Sequence, residues 1–166
     1  MVGKPVRNSP ADACATKNCA TKPTLKLAIQ YVLPANELPI RSQFRRWVRA
    51  ALERDAEITL RVVDEAEGRA LNRQYRGKDY ATNVLSFAYG APAPGLPLLA
   101  DIVLCAPVLA REAKEQGKLL FDHYAHLTIH GVLHVQSYDH GNAKQAEIME
   151  VREVEILSQL GVSNPY

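Results

Sequence analysis

Cysteine is scarce in this chain. Its 166 residues include three, Cys14, Cys19 and Cys105, an odd number that excludes a fully paired disulfide framework and fits a reducing compartment. Long apolar runs are missing as well. No stretch approaches the roughly 18 residues a membrane span needs, and residues 1–20 hold no apolar core of a secretory signal. The expected address is the cytoplasm, with no membrane partner. The charge excess is small, +2 from 20 basic and 18 acidic residues, so charge alone announces no nucleic-acid partner. Methionine occurs twice, as Met1 and Met149.

What remains is a globular balance, 47% hydrophobic and 23% charged, in a length that suits one domain. The first 23 residues are rich in Pro, Ala, Lys, Asn and Thr without periodicity, and are expected to be a disordered leader. Cys14 and Cys19 lie in it and lack the two further ligands that a metal site there would need. Residues 24–166 form the expected domain. Alternation predicts strands at 25–32, 57–63, 84–87 and 101–105. Helical spacing predicts helices over 39–54, from Asp64 to about Tyr75, and over 107–116, 121–136 and 143–160. Asp64, with Glu67 three residues on, reads as an N-cap, and Gly77 and Gly117 read as stops. The predicted class is α/β (α+β): a small mixed sheet of about four strands covered by helices. Basic residues crowd the stretch from Arg41 to Lys78, and Arg41, Arg45 and Arg49 recur one turn apart. They are either a solvated helix face or an RNA-contacting stripe.

All five histidines fall between His123 and His140. His130 and His134 are four apart on a predicted helix, so both rings leave the same face one turn apart and reach one ion. Residues 136–139 then break the helix, and His140 swings back as a third ligand. Three imidazoles suit Zn2+, one per chain, and leave a fourth position open, as catalytic rather than structural zinc requires. His126 lies one turn before His130 and is expected to line the cleft or support a ligand, since three helical histidines in a row span too far for one ion. His123 is expected at the surface. Zinc peptidases share this ligand spacing but place Glu directly after the first histidine, as general base, and methionine in a turn under the metal. Here that position is Gly131, and neither methionine is placed for such a turn. Gly131 instead fits the close approach of a strand or of substrate.

The run His130-Gly131-Val132-Leu133-His134-Val135-Gln136-Ser137-Tyr138-Asp139-His140 resembles the signature of the YbeY family of bacterial endoribonucleases. Asn72-Arg73-Gln74-Tyr75-Arg76-Gly77-Lys78-Asp79, Thr82-Asn83-Val84-Leu85-Ser86-Phe87 and Asp101-Ile102-Val103-Leu104-Cys105 agree in the same order, and the likeness runs from about Leu25 to Tyr166. The resemblance implies a zinc-dependent endoribonuclease that cuts single-stranded RNA, matures the 3′ end of small-subunit (16S) ribosomal RNA and takes part in ribosome quality control. The small ribosomal subunit is then its larger partner. The family's functional arginine falls on Arg76, whose planar fork suits two phosphate oxygens. Lys78, Asn83 and Ser86 are further cleft candidates. The chain departs from the family pattern at Ser137 and Ala100, where glycine is usual, and at Tyr80-Ala81, where a Lys-Pro-like pair is usual. Two other readings stand beside the ribonuclease: a ribosome-assembly factor with structural zinc, for which His126, Asp139 and Cys105 are the local candidates for a fourth ligand, and a zinc hydrolase acting on another substrate.

Overall fold

The stretch AEITLRVV sends Ala56, Ile58, Leu60 and Val62 to one side of a strand and Glu57, Thr59 and Arg61 to the other. The same alternation gives Leu98, Ala100, Ile102 and Leu104 to the first side of another. These residues floor the main core. The protein is seen in a computed structural model that describes residues 22–34 and 36–166. All but the last two residues of the expected leader, Cys14 and Cys19 included, lie outside the described residues.

The strands are β1 (Leu25–Tyr31), β2 (Ala56–Val63), β3 (Val84–Gly90) and β4 (Leu98–Cys105). They form one sheet in the order β1-β2-β4-β3. β1 and β4 run parallel to β2, and β3 runs antiparallel to β4 at the edge. The helices are α1 (Arg41–Ala51), α2 (Glu65–Arg76), α3 (Ala106–Glu115), α4 (Leu120–Val135) and α5 (Ala143–Gln159). α1, α4 and α5 bury Phe44, Trp47, Val48, Tyr124, Ile129, Met149 and Ile156 against the first sheet face. A smaller core of Val63, Leu85, Val103, Cys105 and Val108 lies on the second face, with Leu71 of α2 against it.

The expected α/β architecture is present, with local differences. β4 starts at Leu98 rather than Asp101, because Leu98 and Leu99 pair with Ala56 and Glu57 directly after the proline loop. Helix α1 starts two residues after Pro39, where the Gln43 side chain accepts the Ile40 N–H at 2.9 Å. The Asp64 carboxylate accepts the Glu67 N–H at 2.8 Å, but the reciprocal half of a capping box is missing, because Glu67 instead takes Arg61 Nε at 2.7 Å. His123 corrects the expectation of a surface residue. It is 3% exposed and bonded to Glu112 of α3 at 2.8 Å.

Candidate metal centre

Helix α4 buries ten of its 16 residues, and its glycine sets its height over the sheet. A Cβ on Gly131 would lie 3.0 Å from Ile102 Cγ2 and 3.1 Å from Ser86 Oγ. The close approach expected there is made to the sheet. It lowers His130 and His134 onto the β3 edge. Past Val135 the helix closes in a Schellman turn: Tyr138 N–H donates to Leu133 O at 3.1 Å and Ser137 N–H to His134 O at 3.0 Å. Ser137 sits at the left-handed position of that turn with φ 78°. The turn folds the chain back and brings His140 alongside the helix.

Three rings therefore converge. Their centroids are 4.6 Å apart for His130 and His134, 4.8 Å for His134 and His140, and 5.0 Å for His130 and His140. One nitrogen from each lies within 4.8 Å of the others, a group able to hold a metal ion. The donor set fits zinc by its tautomers. Nδ1–H of His134 donates to the Tyr138 carbonyl at 3.0 Å, and Nδ1–H of His130 donates to a Glu153 carboxylate oxygen at 2.7 Å. Each ring then turns its Nε2 lone pair to the ligand position. Burial pulls the His134 imidazole below its ordinary value, and the neighbouring His130 and His140 rings add to the shift, which favours the neutral, ligating form.

Glu153, on α5, was not expected from the sequence. It is fully buried and accepts His130 Nδ1–H, His126 Nε2–H at 3.1 Å and the Tyr166 hydroxyl. Burial alone would raise its pKa; the three donors outweigh that and hold the carboxyl at about 2. It is thus a fixed anion behind the ring of His130. His126 serves this carboxylate, and with His130 and Glu153 it forms a second group of suitable donors. Its ring does not line the pocket in front of the tripod. The signal for Glu153 was present: it falls on the same α5 face as Met149, Ile156 and Leu157, a lone carboxylate in a buried stripe.

The pocket in front of the three rings has a volume of about 410 Å³, and Arg76, Asn83, Ser86 and Asp139 share its wall with them. Arg76 is the last residue of α2, exposed, and ends the helix at Gly77, whose φ is 69°. Among the described residues it has no carboxylate partner within ion-pair distance. Asn83 donates to Glu112 at 3.2 Å and accepts the Val84 N–H at 2.7 Å, so its amide is already occupied. Lys78 is exposed and does not line the pocket. No residue of α1 lines it either. Arg41 donates to the Ile29 carbonyl at 2.6 Å and lies 5.5 Å over the Tyr31 ring, while Arg45 and Arg49 are exposed. Cys105 is buried in the smaller core with its thiol against Asp64 O at 3.4 Å, and burial pushes that thiol up. Ala100 is buried in β4, opposite Ile58 and Ala88.

Known proteins agree in sequence and fold. The family described as Endoribonuclease YbeY matches residues 31–161. An Endoribonuclease YbeY of Thiobacillus denitrificans is 59% identical over 87% of this chain and 97% of its own. One of Stenotrophomonas maltophilia is 58% identical over 86% and 93%, and one of Nitrosomonas europaea is 51% identical over 98% and 97%. The solution structure of a Thermotoga maritima protein superimposes with a TM-score of 0.52 at 24% identity, over 84% of this chain and 93% of that one, a likeness of fold. On its sequence, the chain belongs to the YbeY endoribonuclease family.

Proposed function

We propose that the chain is a zinc-dependent endoribonuclease that cuts single-stranded RNA, with His130, His134 and His140 as the metal ligands and Arg76 as the phosphate-binding catalytic residue. The observation that carries this reading is one pocket whose wall holds three converging imidazoles and an arginine free of ion pairs among the described residues. When bound, zinc supplies Lewis acidity, polarising a phosphoryl oxygen and acidifying the attacking group. The residues do the rest. The Arg76 fork holds two oxygens of the scissile phosphate against the tripod and offsets the negative charge that grows there. Glu153 and the Tyr138 carbonyl keep the two helical rings in the ligating tautomer.

A structural zinc, as in an assembly factor without activity, calls for a closed site. The tripod group holds three donors and no fourth among the described residues. Asp139 lines the pocket, but its Oδ1 takes the His140 N–H at 2.7 Å. Cys105 lies in the other core. The open position favours catalysis. The unpaired arginine favours a phosphodiester over the substrates of other zinc hydrolases. Work on 16S ribosomal RNA 3′ ends, ribosome quality control, association with the small subunit and a cytoplasmic location extend the family resemblance. No helix among the described residues is long and apolar enough to cross a membrane.

The test is metal content measured together with cleavage of single-stranded RNA, before and after chelation. About one zinc per chain is expected, with cleavage lost on chelation and restored by zinc. His134→Ala is expected to abolish both. Arg76→Ala is expected to keep the zinc and lose cleavage by about 100-fold or more. Tightly held zinc without cleavage of any single-stranded RNA would move the assignment to the structural reading.

A further inference from the structure

The second face of the sheet is only half covered, and next to α2 it opens into a cavity of about 350 Å³ lined by Thr59, Arg61, Tyr75, Phe87, Tyr89 and Val103. Two of its aromatic residues stand in the open: Tyr75 is 58% and Tyr89 64% exposed. Tyr75 packs edge-on to Phe87, with ring centroids 4.9 Å apart. Around these rings the hydrogen-bonding groups are already fixed. Arg61 donates to Glu67 at 2.7 Å and to Gln30 at 2.6 Å, and Tyr89 donates to Asp101 at 2.9 Å. Arg61 is thus offset by Glu67, and Asp101 leaves the cavity with a formal charge of −1, which suits a neutral heteroaromatic ring rather than a phosphate.

Its position ties it to the histidine pocket. β3 is the edge strand, and its residues alternate: Ser86 and Ala88 line the histidine pocket, Phe87 and Tyr89 line this cavity. Tyr75 and Arg76 are consecutive, and each lines one of the two. Arg73, Arg76 and Lys78, at the end of α2, are exposed and have no ion-pair partner among the described residues. A polyanion crossing the β3 edge meets these cations with an aromatic cavity on one side and the tripod on the other. Base stacking on aromatic rings beside a basic track is how single strands are held without a fixed sequence.

We propose that this cavity is a base-binding subsite, in which a nucleobase of single-stranded RNA near the scissile phosphate stacks on Tyr75 and Tyr89; the proposal rests on the ribonuclease reading of the histidine pocket. A base bound there adds affinity in the ground state and in the transition state alike, and so acts on KM rather than kcat.

The probe is a short oligouridylate, with abasic sites scanned through it, tested for binding to and cleavage by the full-length zinc-loaded protein. The double variant Tyr75→Ala/Tyr89→Ala is expected to raise Kd and KM about tenfold or more, with kcat and zinc content unchanged. Tyr75→Phe/Tyr89→Phe keeps the rings and is expected to restore both. One abasic position should weaken binding to the wild type and cost nothing further in the alanine variant. Both positions are exposed, so equal melting temperatures serve as the control for folding. Alanine variants that bind and cut like wild type, or an abasic penalty that persists in them, would overturn the subsite alone. A wild-type protein that neither binds nor cuts this probe or any other single-stranded RNA would overturn the ribonuclease reading itself.

Discussion

Ser137 occupies the one position of the α4 turn that glycine ordinarily fills. With φ 78° its Cβ meets the left-handed penalty, about 1–2 kcal/mol, against about 0.5–1 kcal/mol that glycine costs in chain entropy. Ser137→Gly is therefore expected to stabilise the protein by about 0.5–1 kcal/mol, read as a rise of a few degrees in melting temperature. It should also tighten zinc, since the same turn delivers His140. A lower melting temperature would mean that the serine hydroxyl makes up for its backbone. Glu153 works on the other ligand. Glu153→Gln leaves His126, His130 and Tyr166 with one good acceptor where there were two oxygens, and is expected to cut zinc affinity about 10- to 100-fold in a chelator competition. Tyr166→Phe, which leaves the carboxylate in place, should cost less. The convergence of His130, His134 and His140 was legible because their spacing is local, four residues on one helix and six across one turn. Glu153 was not. It lies 23 residues from His130 on another helix, and only the packing of α5 on α4 makes them neighbours.

Helices place these residues, and two contacts fix how α4 sits. The first is Gly131 against β3 and β4. A methyl group there sits 3.0 Å from Ile102 Cγ2 and 3.1 Å from Ser86 Oγ, so both side chains must give by a few tenths of an ångström; in a packed core that overpacking, about 1–3 kcal/mol, is expected to outweigh the roughly 1 kcal/mol gain in helix propensity. Gly131→Ala is expected to lower the melting temperature and weaken zinc, by lifting His130 and His134 off the sheet edge. The second contact is His123 on Glu112 of α3. Burial holds the His123 ring below its ordinary value of 6.5, and the Glu112 carboxylate opposes that only in part. The unfolded chain then takes a proton, as pH falls below 6.5, that the folded chain refuses. Stability from this group is full above that pH and is lost on the acid side. In metal-free protein, His123→Gln should flatten the fall in stability below pH 6.5; equal slopes would show that the ring charges inside the fold. The element pattern was largely readable, since alternation marked β2 and helical spacing marked α4. The start of β4 was hidden by the proline loop. The burial of His123 was hidden because helix α3, which covers it, is a tertiary neighbour.

Among the described residues, two groups of neighbouring arginines and lysines have no ion-pair partner, one at the end of α2 beside the histidine pocket and one on the α1 stripe. The sequence could mark the stripe but not its direction, because strand order decides which helices share a face. With order β1-β2-β4-β3, α1 covers the β1 side and the pocket opens at β3. Whether RNA reaches α1 is a question of length, and salt answers it. Each phosphate contact with a single strand contributes a slope of about −0.7 to the logarithm of affinity against the logarithm of salt. Arg41 is left unchanged, since it braces Ile29 and Tyr31. Arg45→Gln/Arg49→Gln is expected to reduce the slope by about 1.4 on a long oligonucleotide and to leave a short one unaffected. Arg73→Gln/Lys78→Gln should reduce it on both, because those side chains stand at the end of α2, next to the pocket-lining Arg76. A long strand indifferent to the α1 pair would confine the RNA track to the β3 edge and return the α1 arginines to a solvated helix face.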